Sequence, residues 1–237
     1  MKKFLYNLNS GRNSKFNAYA RGLKNKLIPR WFLAACIKKN INQIQNSDEY
    51  DYIQTRVNYY NKLQKTRSPI SLGEAPQCVG NFKHHKRQLM YYIDLNSVIK
   101  GFPKECEYKA IFGDNVEIPD VPSFVKSRPI VDNNDNAVIL KLNSVRHFNF
   151  VDNDIPYSQK ENKVIFRGKV HQKHRLDFFE KYFDNPLFDL GDTSHKPKHN
   201  NSDWLKEKQT LKEQLKNKFI LCIEGNDTST SLKWVMS

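Results

Sequence analysis

Residues 219–234 read Phe219-Ile220-Leu221-Cys222-Ile223-Glu224-Gly225-Asn226-Asp227-Thr228-Ser229-Thr230-Ser231-Leu232-Lys233-Trp234. The apolar run at 219–223 is short and leads into a Gly, which is typical of a buried strand in a parallel sheet. Residues 227–231 are of the types that cap helices, so a helix is predicted to begin directly after the turn. This arrangement directs backbone N–H groups and the positive end of a helix dipole at one point, which favours an anion, above all a phosphate.

A second unit of the same kind lies upstream. Residues 163–167 predict a strand that runs into Arg167-Gly168-Lys169, and His171–Phe183 predict a helix that contains Arg175. The carboxyl ends of parallel strands meet at one edge, so we expect the three cations to lie near Gly225. Arg binds phosphate through paired hydrogen bonds and Lys adds a point charge. The alternative is that these are solvated surface cations beside an ordinary strand.

Charge is concentrated at the start of the chain. The chain has 237 residues and a net charge of +14, and residues 1–40 hold ten Lys and Arg and no acid. Aromatic and aliphatic residues alternate with these cations, as in helices that lie at an anionic membrane surface. Residues 1–45 are therefore predicted to be a basic amphipathic segment. Nucleic-acid binding and a basic helix packed on its own domain remain open.

Several classes of protein are not indicated by the sequence. No apolar run approaches the ~20 residues that cross a membrane, and the start lacks a signal peptide. The spacing of Cys36, Cys78, Cys106 and Cys222 matches no metal site, which favours a reduced, cytosolic protein. The basic cluster at 84–87 is interpreted as a solvated loop because adjacent histidines point apart.

The remaining pattern places a regular α/β region late in the chain. Helices are predicted at 17–45 and 50–65, a loop at 66–86, strands at Leu89–Leu95, Tyr108–Phe112 and Ala137–Leu142, and a linker at 152–160. After residue 163 strands alternate with helices, with a strand at Leu187–Leu190 and a helix at Trp204–Asn217. This alternation predicts a parallel sheet. Its three strands are fewer than the five or six of a doubly wound domain, so we expect an incomplete domain.

Several ordered motifs resemble glycosyltransferase family 90, in particular its bacterial branch of lipopolysaccharide A proteins and lipopolysaccharide core biosynthesis glycosyltransferases, related to protein O-glucosyltransferases. The motifs are Phe166-Arg167-Gly168-Lys169 with Arg175, Glu224-Gly225-Asn226-Asp227 through Leu232-Lys233-Trp234, residues 56–63, Phe112-Gly113-Asp114 with Pro119 and Pro122, residues 125–130, and residues 146–150. The resemblance runs from about Arg56 to Ser237.

The resemblance implies a GT-B-like α/β fold of two Rossmann-like domains. The acceptor-side domain corresponds to residues 46–155, and a partial nucleotide-sugar-binding domain to residues 156–237. It also implies transfer of a sugar, with inversion and without a metal, from a nucleotide-sugar donor of the uridine-diphosphate type to a hydroxyl of lipopolysaccharide or a related surface glycan. The general base of the family matches Asp114, which would take the hydroxyl proton.

The implied donor site includes Arg167, Gly168, Lys169, Arg175, Gly225, Asn226, Asp227, Ser231 and Lys233. Its cations would stabilise the leaving diphosphate in place of a metal. Eukaryotic relatives carry an Arg where Ser231 stands here. Family members continue beyond Ser237, so we expect this chain to be truncated. The implied location is cytoplasmic, peripheral on the inner membrane. The competing hypothesis is a non-catalytic remnant that binds anionic membrane or nucleic acid through its basic start.

Overall fold

The computed structural model describes residues 11–63, 72–73, 76–80 and 88–237. The chain divides into two compact units. The first unit, called the helical unit, is Ser14–Val145, and the second, called the sheet unit, combines Arg146–Ser237 with residues 11–13. The division therefore falls earlier in the chain than the predicted domain boundary at 155/156. The basic segment from Ser14 belongs to the same unit as residues 46–145.

The described residues of the helical unit form four longer helices and four short strands. The helices are α1 (Lys15–Leu27), α2 (Arg30–Gln45), α3 (Tyr50–Tyr60) and α4 (Leu89–Ile99). The strands are β1 (Gln77–Cys78), β2 (Glu107–Tyr108), β3 (Ser123–Val125) and β4 (Ala137–Ile139). β1 pairs with β2 in an antiparallel manner, and β3 pairs with β4 in parallel. The short helix α5 (Ser144–His147) spans the division between the units.

The predicted helix at 17–45 is present as two helices. Ser14 caps α1 by accepting a hydrogen bond from the Asn17 amide, as N-cap serines do. Pro29 separates α1 from α2, because proline restricts the residue before it and lacks an N–H of its own. The predicted helix at 50–65 is confirmed over Tyr50–Tyr60.

The strand predicted at Leu89–Leu95 is wrong, because these residues begin helix α4. Tyr91, Leu95 and Ile99 are spaced four residues apart and enter the core of the helical unit. Ile93 faces α1, where a Cβ added to Gly22 would lie 3.0 Å from the Ile93 side chain. A helix that is buried on two sides has no polar face, so its sequence does not show the repeat of apolar and polar residues that is typical of a helix. Its aromatic and β-branched content then suggests a strand.

The sheet unit is built on a three-stranded parallel sheet in the order β6-β5-β7. The strands are β5 (Glu161–Gly168), β6 (Phe188–Asp192) and β7 (Asn217–Ile220), and the helices are α6 (Lys173–Tyr182), α7 (Leu211–Gln214) and α8 (Leu232–Val235). Two 3₁₀ turns occupy Tyr157–Gln159 and Ser202–Trp204. The helix predicted at His171–Phe183 is confirmed over Lys173–Tyr182. Its Phe179 is buried, and Leu176, Tyr182 and Phe183 pack against the same core.

The long helix predicted at Trp204–Asn217 is wrong. Trp204 ends a 3₁₀ turn and packs on Phe179 with ring centroids 5.2 Å apart. Leu205 then forms a parallel bridge with Asp192, and the Lys206 amide donates to the Asp192 carbonyl at 2.9 Å. These backbone bonds draw the segment along the edge of β6, so only the four residues of α7 become helical.

The other predicted strands differ in extent. The strand at Ala137–Leu142 is confirmed over Ala137–Ile139, whereas the one at Tyr108–Phe112 is reduced to a two-residue strand and an isolated bridge at Ala110. The loop predicted at 66–86 lies largely outside the described residues, and so does the basic cluster at 84–87.

Candidate functional site

The carboxyl ends of three parallel strands form the candidate site of the sheet unit. Gly168 of β5 is opposite Asp192 of β6, and Ile165 of β5 is opposite Ile220 of β7. The Leu221 amide donates to the Ile165 carbonyl at 2.9 Å, which extends this pairing beyond β7. The prediction that the turns at Gly168 and Gly225 lie at the same edge of one parallel sheet is confirmed.

Arg175 joins the two turns directly. Its Nη1 donates to the Lys169 carbonyl at 2.6 Å, its Nη2 to Ile223 at 2.6 Å and its Nε to Glu224 at 2.7 Å. The guanidinium is buried and lies over the Phe166 ring, 5.4 Å from its centroid. Burial lowers the pKa of Arg175, and the negative charge of Asp192 opposes that shift. Arg175 thus uses its donors to hold the backbone of both turns in place.

The charge of Arg167 is balanced by a carboxylate on the neighbouring strand. Its Nη2 lies 2.7 Å from Asp189 Oδ2, and its Nη1 donates to the Asp189 carbonyl at 2.8 Å. Lys206 Nζ contacts the other carboxylate oxygen at 2.8 Å. Burial raises the pKa of Asp189, but the hydrogen bonds and charges of Arg167 and Lys206 outweigh burial and leave the pKa below its ordinary value. The structure therefore gives Arg167 a carboxylate partner that sequence reasoning missed.

Asp192 is a buried carboxylate at the carboxyl edge of the sheet, and it was not predicted from the sequence either. Its Oδ1 accepts from the Val170 amide at 3.1 Å, from the Ser194 amide at 2.9 Å and from the Ser194 hydroxyl at 2.6 Å. Its Oδ2 lies 2.8 Å from His199 Nε2, and the Ser194 hydroxyl is 3.0 Å from His171 Nε2.

Burial raises the pKa of Asp192, but hydrogen bonds from Ser194, His199 and Val170 outweigh burial and lower the pKa. Through the bond from the Val170 amide, this carboxylate holds the loop that follows β5 in place. The signal for Asp192 in the sequence was the Gly191-Asp192 pair, which follows the predicted strand at Leu187–Leu190 and resembles the other strand ends.

The turn after β7 is held by short side-chain bonds. Asn226 Oδ1 accepts from Gln172 Nε2 at 2.9 Å, and Asp227 Oδ1 accepts from the Thr228 amide at 2.7 Å. The Ser231 hydroxyl lies 2.9 Å from that of Ser229 and makes no capping bond to α8. The predicted helix is present as α8, which has only four residues, so its N-terminus is a weak source of positive potential.

The remaining predicted residues of this edge differ in their surroundings. Lys169 is exposed, and Gly168 accepts a hydrogen bond from the Thr193 amide at 2.9 Å. A Cβ at Gly225 would meet the Thr228 carbonyl at 3.4 Å and Arg175 Nη2 at 3.5 Å. Lys233 Nζ lies 4.0 Å from the centroid of the Phe148 ring, a cation–π contact.

Asp114 lies in the helical unit. It follows Gly113, which has a φ of +105° and so takes a conformation that favours glycine. Asp114 Oδ1 is 2.6 Å from Lys126 Nζ, and Lys126 directly follows β3 with its side chain almost fully buried. The buried ammonium fixes the position of a carboxylate that is itself partly exposed. Residues 125–130 form one of the motifs in the sequence, but the motif indicates no role for Lys126.

The described residues hold no group of three or more His, Cys, Asp and Glu arranged to bind a metal ion. In the same part of the chain, no helix has the length and apolar character needed to cross a membrane.

Comparison with known proteins finds one curated relative. The chain is 42% identical over 189 residues to the O-glucosyltransferase LpsA of Dichelobacter nodosus. The match covers 78% of this chain and 56% of the relative, so the chain spans a little over half the length of that protein. No protein-family profile matches the chain, and no solved structure matches it.

Proposed function

We propose that the chain is part of a glycosyltransferase that moves a glucosyl group from a nucleotide-sugar donor to a hydroxyl of a lipopolysaccharide or related surface glycan. The observation that carries this proposal is the 42% identity to an O-glucosyltransferase over 189 residues. The donor would be of the uridine-diphosphate type, the reaction would invert the anomeric centre, and the fold would be of the GT-B type.

The carboxyl edge of the sheet supports a role as the donor site. Ligands of open α/β sheets bind at this edge. Lys169 is an exposed cation there, beside the turn that contains Gly225. In this proposal Lys169 contacts the diphosphate, and Arg175 and Asp192 hold the surrounding loops in the binding geometry. A preorganised positive site stabilises the charge that develops on a leaving diphosphate, which is the role a metal has in other enzymes.

Calorimetry with uridine diphosphate tests the donor site. We expect Lys169→Ala to weaken binding about tenfold, which is about 1.4 kcal/mol, as the loss of one charge-assisted contact should. Lys163→Ala is the matched control, because Lys163 is also exposed but lies near the amino end of β5. Absence of nucleotide binding, or equal loss in both variants, would overturn the donor assignment.

Turnover of uridine-diphosphate glucose tests the proposed base. Asp114→Asn retains the shape of the side chain but cannot accept the hydroxyl proton, so turnover should fall about 10²-fold or more while donor binding is retained. Asp120→Asn, an exposed aspartate of the same unit, is the control. Turnover should also persist in the presence of a chelator. Unchanged turnover of Asp114→Asn would remove Asp114 from the mechanism.

We place this reaction at the cytoplasmic face of the inner membrane, with the protein attached peripherally. The support is the start of the chain, where ten cations and no acid occupy residues 1–40. Such a segment is attracted to anionic lipid.

A further inference from the structure

Helix α1 has one face fixed against its own unit. Ala18 and Asn25 are buried, and Gly22 lies so close to α4 that an added Cβ would be 3.0 Å from Ile93. Arg21 Nη2 also reaches Asp94 Oδ1 on α4 at 2.6 Å. These contacts fix which side of α1 faces outward.

The outward side of α1 is apolar. Phe16, Tyr19, Leu23 and Leu27 have 77%, 48%, 62% and 77% of their surface exposed. At 100° per residue these positions fall within an arc of about 80°, on the side of the helix opposite Ala18 and Asn25. A continuous apolar stripe on the solvent side of a packed helix indicates an interaction surface.

Cations border this stripe on both sides. On the same helical projection Lys15 and Lys26 lie on one flank and Lys24 on the other. Residues 11–47 contain eight Lys and Arg and no Asp or Glu. Just after α1, Trp31 and Phe32 at the start of α2 are exposed as well.

This combination identifies the chemistry of the partner. A bilayer with anionic headgroups offers negative charge at its surface and an apolar region directly beneath it, which match the two kinds of side chain on α1. A nucleic acid would match the cations but not Leu23 and Leu27. A second copy of the chain would match the apolar stripe but bring the flanking lysines together, which costs energy through like-charge repulsion.

We propose that the outer face of α1, formed by Phe16, Tyr19, Leu23 and Leu27 with their flanking lysines, docks on an anionic phospholipid bilayer. The helix lies in the plane of the interface, with its apolar side chains among the acyl chains and its lysines at the headgroups. The inference rests on the proposed membrane attachment and names the face that makes it, but it does not depend on the donor site or on Asp114, since it is argued from α1 and the start of α2.

Vesicle cosedimentation of the whole chain tests this proposal without any measurement of activity. The probe is phosphatidylcholine vesicles with about 30% phosphatidylglycerol, compared with vesicles of phosphatidylcholine alone. We expect binding to the anionic vesicles, much weaker binding to the neutral ones, and a decrease as salt is raised.

Two sets of variants separate the apolar from the electrostatic contribution. The double variant L23Q/L27Q should bind anionic vesicles about tenfold or more weakly, because it removes buried apolar area from the interface. Its matched control is V57Q/V98Q, since both valines are exposed on other helices of the same unit. The variant K24Q/K26Q should bind more weakly and with a smaller salt dependence, whereas K208Q/K212Q, two exposed lysines of the sheet unit, should behave as wild type.

Circular dichroism and the midpoint of urea unfolding check that each variant folds, which we expect because the substituted positions are exposed. Equal vesicle binding by L23Q/L27Q and wild type would overturn the proposal, and so would a wild-type chain that ignores anionic vesicles at low salt. Self-association that L23Q/L27Q abolishes, in a chain that does not bind vesicles, would instead assign the face to a second copy. Retention of a nucleic acid without vesicle binding would likewise overturn it.

Discussion

Among individual residues, Arg175 has the clearest consequence for stability. Its three donors hold the carbonyls of Lys169, Ile223 and Glu224, and its guanidinium is buried. Arg175→Ala should lower the free energy of unfolding by about 1.5–3 kcal/mol, the usual contribution of a hydrogen-bonded charged group. Urea denaturation measures this loss. Lys173→Ala, at an exposed position of the same helix, should change stability little, and an equally stable Arg175→Ala would contradict the bridging role.

Asp192 makes stability depend on pH in a defined direction. Its pKa is lowered in the folded chain, so its contribution to stability is present above the unfolded value of about 3.9 and is lost as pH falls through the folded value. Asp192→Asn should therefore be most destabilising near neutral pH, and the difference from wild type should shrink below about pH 4.

Urea denaturation across this pH range measures that difference, with Asp184→Asn as an exposed control. A destabilisation by Asp192→Asn that stays constant from neutral to acid pH would show that the charge of Asp192 is not the source of its contribution.

Sequence reasoning located the cations of the candidate site but not their partners. Strand ends in a parallel sheet converge by geometry, so Arg167, Lys169 and Arg175 could be assigned to one edge. The partners of Arg175 are backbone carbonyls, which carry no residue signature. The partners of Arg167 and His199 are Asp189 and Asp192 of β6. The pairing of Arg167 with Asp189 depends on the strand register rather than on spacing in the sequence.

Among the helices and strands, β5 and α6 were predicted and α4 was not. Strand β5 is a short apolar run that leads into a Gly, helix α6 has one apolar face, and both were found close to their observed bounds. Helix α4 packs against both the core and α1, so its sequence lacks a polar face and suggested a strand. The segment after Trp204 has helical propensity, but its backbone bonds to Asp192 compete successfully with helix formation.

Helix α4 should be among the elements whose packing contributes most to the helical unit. Leu95 is fully buried in its core. Leu95→Ala should lower the free energy of unfolding by about 2–5 kcal/mol, since it removes apolar contacts and leaves a cavity. Val98→Ala on the exposed side of the same helix is the control. If both variants lowered the free energy of unfolding by a similarly small amount, the helical register of α4 would be contradicted and a strand would be favoured.

For the whole molecule, the edge of the parallel sheet has the clearest consequence. Among the described residues, the three-stranded sheet has β7 at one edge, where Phe219 is half exposed, and Leu232 and Met236 of the following segment are exposed too. An unpaired edge with apolar neighbours favours association with other chains.

We therefore expect the 237-residue chain to self-associate through the edge of β7. Light scattering tests this. Phe219→Lys should reduce association, because a charge on an edge strand opposes pairing. A monodisperse chain would contradict this expectation. If Phe219→Lys left association unchanged, the edge of β7 would not be its source.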